Sequence, residues 1–197
     1  MNYRKISLTV MLLLSTIVSC KKDDNHKIKF GWTKNGSVYF YDQYKGSSVT
    51  KDYLKLAIYD DEFFQNDVAA STYMDILDRH FVVKKGGLFG LACEECNFGF
   101  FSCSRKFEFL YTPNAPSLNQ ELPQYGCGRT PDYNTRIIKI DTIISVPYGT
   151  FNTYIMKHRN GDKSYWNADS GIIMYEKVDF KDSRTVVETF KLSRKQI

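Results

Sequence analysis

The sequence predicts a mainly β protein, in which a single antiparallel, curved sheet forms a partial barrel of consecutive hairpins. Aromatic residues are abundant, with 14 Tyr and 14 Phe in 197 residues, and such rings pack well on a pleated, half-buried surface. Several stretches alternate apolar and polar residues, which is the pattern of a strand with one buried face. Because tight-turn sequences separate these stretches, hairpins are favoured over a two-sheet sandwich.

Two strands are expected at the start of the β-rich domain, which we predict to span residues 28–197. Residues 28–32 alternate, and residues 38–44 follow after Asn35-Gly36. Asn-Gly tolerates positive φ at both central positions of a turn, so it predicts a hairpin. Residues 51–59 alternate as well. The apolar face of this last strand is expected to hold Leu54, Leu56 and Ile58.

The segment between residues 60 and 83 fits two structures. Apolar residues within 66–81 have the spacing of one face of a helix. Residues 73–83, followed by Lys84-Lys85-Gly86-Gly87, instead have the pattern of a strand that enters a glycine turn. We favour the strand, because residues 88–92 would return beside it.

The second half of the chain divides into an irregular connection and a regular meander. Residues 98–111 are aromatic, and residues 112–131 hold four of the five prolines, which predicts a long loop that offers a binding edge. From residue 136 onward, turn sequences separate alternating stretches. The turns are Pro147-Tyr148-Gly149, Asn160-Gly161 and Asp169-Ser170-Gly171. One face of the first strand is expected to hold Ile138, Ile140, Ile144 and Val146.

Residues 1–19 are expected to form a signal peptide that is cleaved. Arg4 and Lys5 give a basic start, and the 13 residues from 6 to 18 carry no charge. As a helix this run reaches about 20 Å, less than the roughly 30 Å of a bilayer's apolar core. A basic start, a short apolar middle and a small residue before a break are typical of secretion.

The end of this segment resembles the lipobox of bacterial lipoproteins. The resemblance lies in Ile17-Val18-Ser19-Cys20, and it implies that Cys20 is acylated and begins the mature chain. Acyl chains would then anchor the protein in the outer membrane, with residues 20–27 as a polar tether. Lys21-Lys22-Asp23-Asp24 is similar to the export signal of surface lipoproteins, which favours the cell surface over the periplasmic face. The alternatives are an ordinary secreted protein and a tether without sorting content.

A second resemblance covers about 35 residues of the C-terminal half. Residues 146–154, Val-Pro-Tyr-Gly-Thr-Phe-Asn-Thr-Tyr, resemble the "VPaGtF" turn of uncharacterised β-rich envelope lipoprotein families. Tyr165-Trp166 and the strand after Gly171 match the "YW…G-x-G" segment that follows in those families, except that Asp169 replaces the first glycine. The resemblance implies a curved antiparallel scaffold, in some cases similar to the half-barrels of lipoprotein carriers.

Four cysteines remain once Cys20 is set aside. An even number in an exported domain favours two disulfides. The residues are Cys93, Cys96, Cys103 and Cys127. A zinc site is a weaker alternative, because Cys93 and Cys96 form a close pair while the other two cysteines do not. Free or mixed thiols are the third reading.

Exposed aromatic side chains form the main binding hypothesis. Rings in two separate segments could stack on sugars or cover a lipid tail, although core packing would explain them equally well. The candidate residues are Trp32, Tyr39, Tyr41 and Trp166. The spacing of the three histidines selects no catalytic set, so we predict no catalytic residues, no metal and no cofactor.

The charge balance argues against a nucleic-acid partner. Removal of residues 1–19 takes away Arg4 and Lys5 and leaves 25 basic and 22 acidic residues, a net charge of +3. We therefore expect a non-enzymatic module that binds a lipid, glycan or protein, or that maintains the envelope. A lipid carrier with a half-barrel cavity is one alternative, and a secreted hydrolase of envelope or extracellular glycans is a weaker one.

Overall fold

The computed structural model describes residues 30–67, 74, 77, 80–93, 106–125, 131–179 and 181–197. Antiparallel strands dominate these residues, which confirms the predicted fold class. A 3₁₀ turn at Gly31–Thr33 precedes the first strand. The strands are β1 (Val38–Lys45), β2 (Ser48–Tyr59), β3 (Glu62–Gln65), β4 (Phe81–Lys84), β5 (Gly87–Cys93), β6 (Lys106–Pro113), β7 (Glu121–Tyr125), β8 (Pro131–Val146), β9 (Gly149–Lys157), β10 (Lys163–Asn167), β11 (Gly171–Val178) and β12 (Val186–Gln196).

Nine of these strands form one large antiparallel sheet. Their order is β3-β2-β1-β12-β11-β10-β9-β8-β7, so β3 and β7 are the two edges and the sheet is not closed into a barrel. Strands β4, β5 and β6 form a second sheet, which corrects the expectation of a single sheet. The large sheet places β1 beside β12, so its first and last strands in sequence are paired neighbours.

The small sheet adjoins an edge of the large sheet. Glu62 in β3 forms an isolated antiparallel bridge with His80, and Phe81 N donates to Asp61 O at 3.0 Å. The side chains of Phe81 and Leu88 join the same apolar core as those of the large sheet. The two sheets therefore share one core.

Large aromatic side chains fill this shared core. Trp32 stacks on Phe63 with ring centroids 5.7 Å apart, and Phe63 stacks on Phe81 at 4.3 Å. Trp166 meets Trp32 edge to face at 5.7 Å. Ring pairs in such geometries stabilise a core by about 0.5–1.5 kcal/mol beyond their buried area.

The predicted N-terminal hairpin is wrong. Gly31–Thr33 forms a 3₁₀ turn, not the end of a strand, and β1 pairs with β2 and β12. Gly36 does adopt a positive φ of 83°, but the turn it forms leads from the buried Trp32 into β1. The strand predicted at residues 51–59 is confirmed as part of β2. The residues of its predicted apolar face, Leu54, Leu56 and Ile58, are all buried.

The glycine turn after residue 83 is confirmed, whereas the strand before it is shorter than predicted. β4 begins at Phe81, and β5 returns beside it with Lys84 opposite Gly87. Met74 and Leu77 are buried but lie outside any strand, and Tyr73 is outside the described residues. Asn66 and Asp67 form a turn with positive φ.

The predicted loop at residues 112–131 is wrong in part. β6 continues to Pro113, the stretch contains β7, and β8 already begins at Pro131. β7 lies at an edge of the large sheet, and the binding role predicted for this stretch stays a prediction.

The C-terminal meander is confirmed. β8 to β12 pair in sequence as antiparallel neighbours, with turns at the three predicted positions. The predicted face of β8 is only partly right: Ile140 is exposed, whereas the other three residues are half-buried. Those three are Ile138, Ile144 and Val146.

Candidate functional site

A groove open to solvent lies where the β8–β9 hairpin bends. Its volume is about 360 Å³. The loop after β6, the bend itself and the turn between β10 and β11 supply its walls. We call it the elbow groove, and its lining residues are Pro116, Ile140, Asp141, Asn152, Thr153, Tyr154, Asn167 and Ala168.

Irregular pairing within the hairpin produces the bend. The register between β8 and β9 shifts between Ile137 and Lys139 and again between Lys139 and Thr142. Asp141, inside the second shift, has a φ of 54°, a left-handed conformation that Asp adopts more readily than most residues. Because a bulge bends and twists the strand that carries it, β8 turns at this point.

The tip of the bent hairpin returns to the sheet. Tyr148 N donates to Leu192 O at 3.1 Å, so the tip reaches across β10 and β11 to β12. Ile144 and Val146 pack against a second apolar cluster and help to bury it. Its members are Ile155, Tyr165 and Met174. The bent hairpin is therefore held to the sheet by a backbone hydrogen bond at its tip and by the apolar contacts of Ile144 and Val146.

Two asparagines hold the polar wall of the elbow groove in place. Asn152 Nδ2 donates to Asp141 Oδ1 at 3.3 Å, and Asn167 Nδ2 donates to Asn152 O at 2.9 Å. Asn167 Oδ1 in turn accepts from the backbone nitrogens of Asp169 and Ser170, at 3.1 and 3.0 Å. The wall is therefore fixed by a chain of bonds that ends in the β10–β11 turn.

Tyr154 forms the floor of the groove and is almost completely buried. Its hydroxyl group hydrogen-bonds to the hydroxyl of Thr112, which joins the large sheet to the small one. Burial raises the pKa of Tyr154 well above its ordinary value, and the bond to Thr112 opposes that rise only in part. Tyr154 is thus a neutral phenol at physiological pH and cannot act as a base there.

The groove has the chemistry of a binding site. Asp141 is the only carboxylate among its lining residues, and no histidine, cysteine or lysine accompanies it. Hydrolysis of a glycosidic bond ordinarily requires two carboxylates on opposite sides of the bond. Amide, hydroxyl and carboxylate groups beside Ile140 and Pro116 can instead orient a small polar ligand against an apolar wall.

The aromatic residues predicted to bind ligand lie in the core. Each of the four is only 1% exposed, so no ring face is open to a ligand, and the core-packing alternative holds. They are Trp32, Tyr39, Tyr41 and Trp166. The two tyrosine hydroxyls donate to backbone carbonyls, Tyr39 to Trp32 O at 2.7 Å and Tyr41 to Ile172 O at 2.9 Å. Burial raises the pKa of both tyrosines.

The structure brings together a histidine, a serine and an aspartate that the spacing had not selected. His158 Nε2 lies 2.7 Å from Ser164 Oγ, and Asp162 O accepts from His158 N at 2.9 Å. Burial lowers the pKa of His158 to about 4, against a smaller opposing effect of Asp162, so the ring is neutral. Ser164 has no exposed surface. A substrate cannot reach this serine, so we assign the cluster a structural role.

The neighbours of this cluster complete its hydrogen bonding. Trp166 Nε1 donates to Ser164 Oγ at 2.7 Å, and Tyr175 OH donates to Asp162 Oδ2 at 2.6 Å. Val178 N donates to Asp162 Oδ1 at 2.9 Å. With Trp166 as donor, the Ser164 hydroxyl hydrogen is available to the neutral His158 Nε2. The network fixes the β9–β10 turn against β11.

Most of the predicted cysteine and lipidation sites lie outside the described residues. These are Cys20, Cys96, Cys103 and Cys127. Cys93 ends β5, beside Lys106 of β6. Within the described ranges, no group of three or more His, Cys, Asp or Glu side chains could hold a metal ion.

The groove residues were not found by sequence reasoning, although one signal was present. In β8 the polar pair Asp141-Thr142 interrupts the apolar face of Ile138, Ile140 and Ile144, because Thr142 stands where the next apolar residue of that face is due. Such a break within a strand indicates a bulge.

No family model, curated protein or solved structure matches this chain. Among the described residues, none of the structure's helices has the length and apolar character needed to span a membrane.

Proposed function

We propose that this protein is a non-enzymatic binding module of the cell envelope, attached to the outer membrane by acyl chains on Cys20 and facing the cell surface. Its ligand is a small polar molecule or group that enters the elbow groove. The proposal is carried by one observation: the elbow groove, a concavity among the described residues, has a mixed polar and apolar lining in which Asp141 is the only carboxylate.

The packing of the core weighs against lipid carriage. A carrier needs an apolar cavity for acyl chains, whereas the core that the two sheets share is, among the described residues, filled by large side chains. Trp32, Trp166 and Tyr175 are each at most 1% exposed, and rings stack across the interior. The lining of the elbow groove includes Asp141, Asn152 and Asn167, and an acyl chain would cover these polar groups without offering them hydrogen bonds.

The groove chemistry weighs against a hydrolase. Among the described residues that line the groove, no second carboxyl group or histidine accompanies Asp141, and Tyr154 is held as a neutral phenol. The buried Ser164 cannot serve as a nucleophile, because it has no surface. Binding without chemistry is the function these groups support best.

The position of the first buried residues agrees with a short tether between Cys20 and the folded domain. Phe30 and Trp32 are buried in the core, so the chain is held firmly from residue 30 onward. Cys20 and Phe30 are ten positions apart in the sequence, and an extended chain over that distance spans at most about 35 Å. Such a tether would keep the domain close to the bilayer surface.

Fractionation of cells tests the anchor. Cys20→Ala is expected to move the protein from the membrane to the soluble fraction, while Ser19→Ala, which keeps a small residue before the cysteine, should leave it in the membrane. Degradation of the wild type by protease added to intact cells would support the surface address. Continued sedimentation of Cys20→Ala with membranes would contradict lipid attachment, and native mass spectrometry of the wild type would report any retained ligand.

A further inference from the structure

The elbow groove keeps hydrogen-bonding groups that the protein does not use. Within the described residues, Asp141 Oδ2 and Asn152 Oδ1 have no partner. The amide nitrogens of Asn152 and Asn167 each use one of their two hydrogens. The wall therefore offers two acceptors and two donors side by side, on side chains whose positions are already fixed.

This mixture of groups selects a particular ligand chemistry. A hydroxyl group both donates and accepts, so neighbouring hydroxyls can satisfy the carboxylate and the two amides together. An ammonium group only donates, and it would leave the amide hydrogens unsatisfied. A phosphate or carboxylate would lie against Asp141, and no lining residue is cationic to offset that repulsion.

The shape and the remaining lining agree with a ring that carries hydroxyl groups. Ile140, Pro116 and Ala168 add apolar surface to the lining, against which the C–H face of such a ring can pack. The volume of about 360 Å³ lies near the small end of ligand pockets, which range over roughly 300–1,000 Å³. One or two rings fill such a space.

We propose that the elbow groove binds one neutral sugar unit of a glycan, with Asp141, Asn152 and Asn167 as its hydrogen-bonding residues. This inference rests on the proposed binding function and names the ligand class of that site. The Asp141 carboxylate accepts from a pair of ring hydroxyls, and the amides donate to their neighbours. The partly exposed position of the groove lets a longer glycan continue into solvent.

Nuclear magnetic resonance titration of the acylated mature protein tests the assignment. The protein is held in a zwitterionic detergent without a sugar headgroup. The probes are the methyl glycosides of glucose, galactose, mannose and N-acetylglucosamine, with trilysine and palmitate as contrasting ligands. At least one glycoside is expected to shift the amide signals of Asn152, Thr153 and Asn167, and trilysine and palmitate are not.

A pair of matched variants separates binding from folding. Asp141→Asn keeps an oxygen acceptor and a residue that tolerates positive φ, but it removes the charge, and we expect it to weaken glycoside binding about tenfold or more. Asp52→Asn is the control, because Asp52 also has a positive φ within a strand but lies outside the groove. It should bind within about twofold of the wild type.

The outcomes distinguish this inference from the function on which it rests. Shifts at the groove with trilysine alone would overturn the sugar assignment and leave the binding of a polar ligand standing, whereas shifts with palmitate alone would overturn both. No shift with any glycoside, or equal binding by Asp141→Asn and the wild type, would also overturn it. Cell fractionation tests the membrane anchor separately, because it measures whether the Cys20→Ala variant is released from membranes.

Discussion

The indole ring of Trp32 lies directly against Gly171, the residue that begins β11. A Cβ atom placed on Gly171 would stand 2.6 Å from Trp32 Cδ2, a distance that real Cβ contacts do not reach. Gly171 also has a φ of 76°. Two requirements therefore coincide at this position: a left-handed backbone and the absence of a side chain. The contact joins the start of the domain to its C-terminal meander.

Replacement of Gly171 by alanine is expected to lower the free energy of unfolding by about 2–5 kcal/mol. A left-handed conformation costs a residue with a side chain roughly 1–2 kcal/mol, and the clash with the buried Trp32 adds roughly 1–3 kcal/mol. Urea denaturation followed by tryptophan fluorescence measures the loss.

The control for this substitution is Gly36→Ala. Gly36 has a similar φ of 83°, but nothing lies within 4 Å of a Cβ placed there. It should lose only about 1–2 kcal/mol. Equal losses in the two variants would contradict the role assigned to the contact with Trp32.

The stability of the protein should fall on acidification because of His158. Its pKa is lowered from the ordinary 6.5 to about 4 by burial, so the folded state favours the neutral ring. The contribution of the neutral ring to the free energy of unfolding is complete above pH 6.5. It is lost as the pH falls toward 4, and the total loss is roughly 3 kcal/mol. The groups that face the ring are Thr135, Asp162, Ser164 and Tyr175.

Denaturation at a series of pH values between 7.5 and 4.5 measures this dependence. His158→Gln should flatten the slope relative to the wild type, because a glutamine side chain does not titrate in this range. Parallel slopes in the wild type and His158→Gln would show that another group carries the acid sensitivity.

Ser164→Ala is expected to destabilise the fold by about 2–6 kcal/mol. The change removes the shared partner of Trp166 Nε1 and His158 Nε2, and each buried polar atom without a partner costs roughly 1–3 kcal/mol. Ser145→Ala removes a hydrogen bond to Thr150 at an exposed position and should change the stability by less than about 0.5 kcal/mol. A stable Ser164→Ala variant would contradict the structural role of the cluster.

Peptide mapping without reduction is expected to find the four cysteines of the domain in two disulfides. The four are Cys93, Cys96, Cys103 and Cys127. Reduction should then lower the stability by about 2–4 kcal/mol per bond, since each bond restricts the unfolded chain. Four free thiols in protein recovered from the envelope would refute the pairing, and bound zinc in native mass spectrometry would favour the metal alternative.

The sequence alone determined the class of the fold and its most regular part. The strand alternation of residues 51–59 and the turns after residues 146, 159 and 168 depend on neighbours along the chain, and all of them agree with the structure. Local chemistry suffices there, because a hairpin's turn sequence fixes which strands pair and in what register. The glycine turn before β5 was predictable for the same reason.

Only the tertiary structure decided where the aromatic rings lie and where a ligand can enter. Trp32 and Trp166 meet although 134 positions separate them in the sequence, and their burial depends on two sheets that share one core. Asp141 and Asn167 line one groove because a bulge bends β8 toward the β10–β11 turn. Contacts of this kind depend on how distant strands pack, and no pattern within a short window of residues encodes that packing.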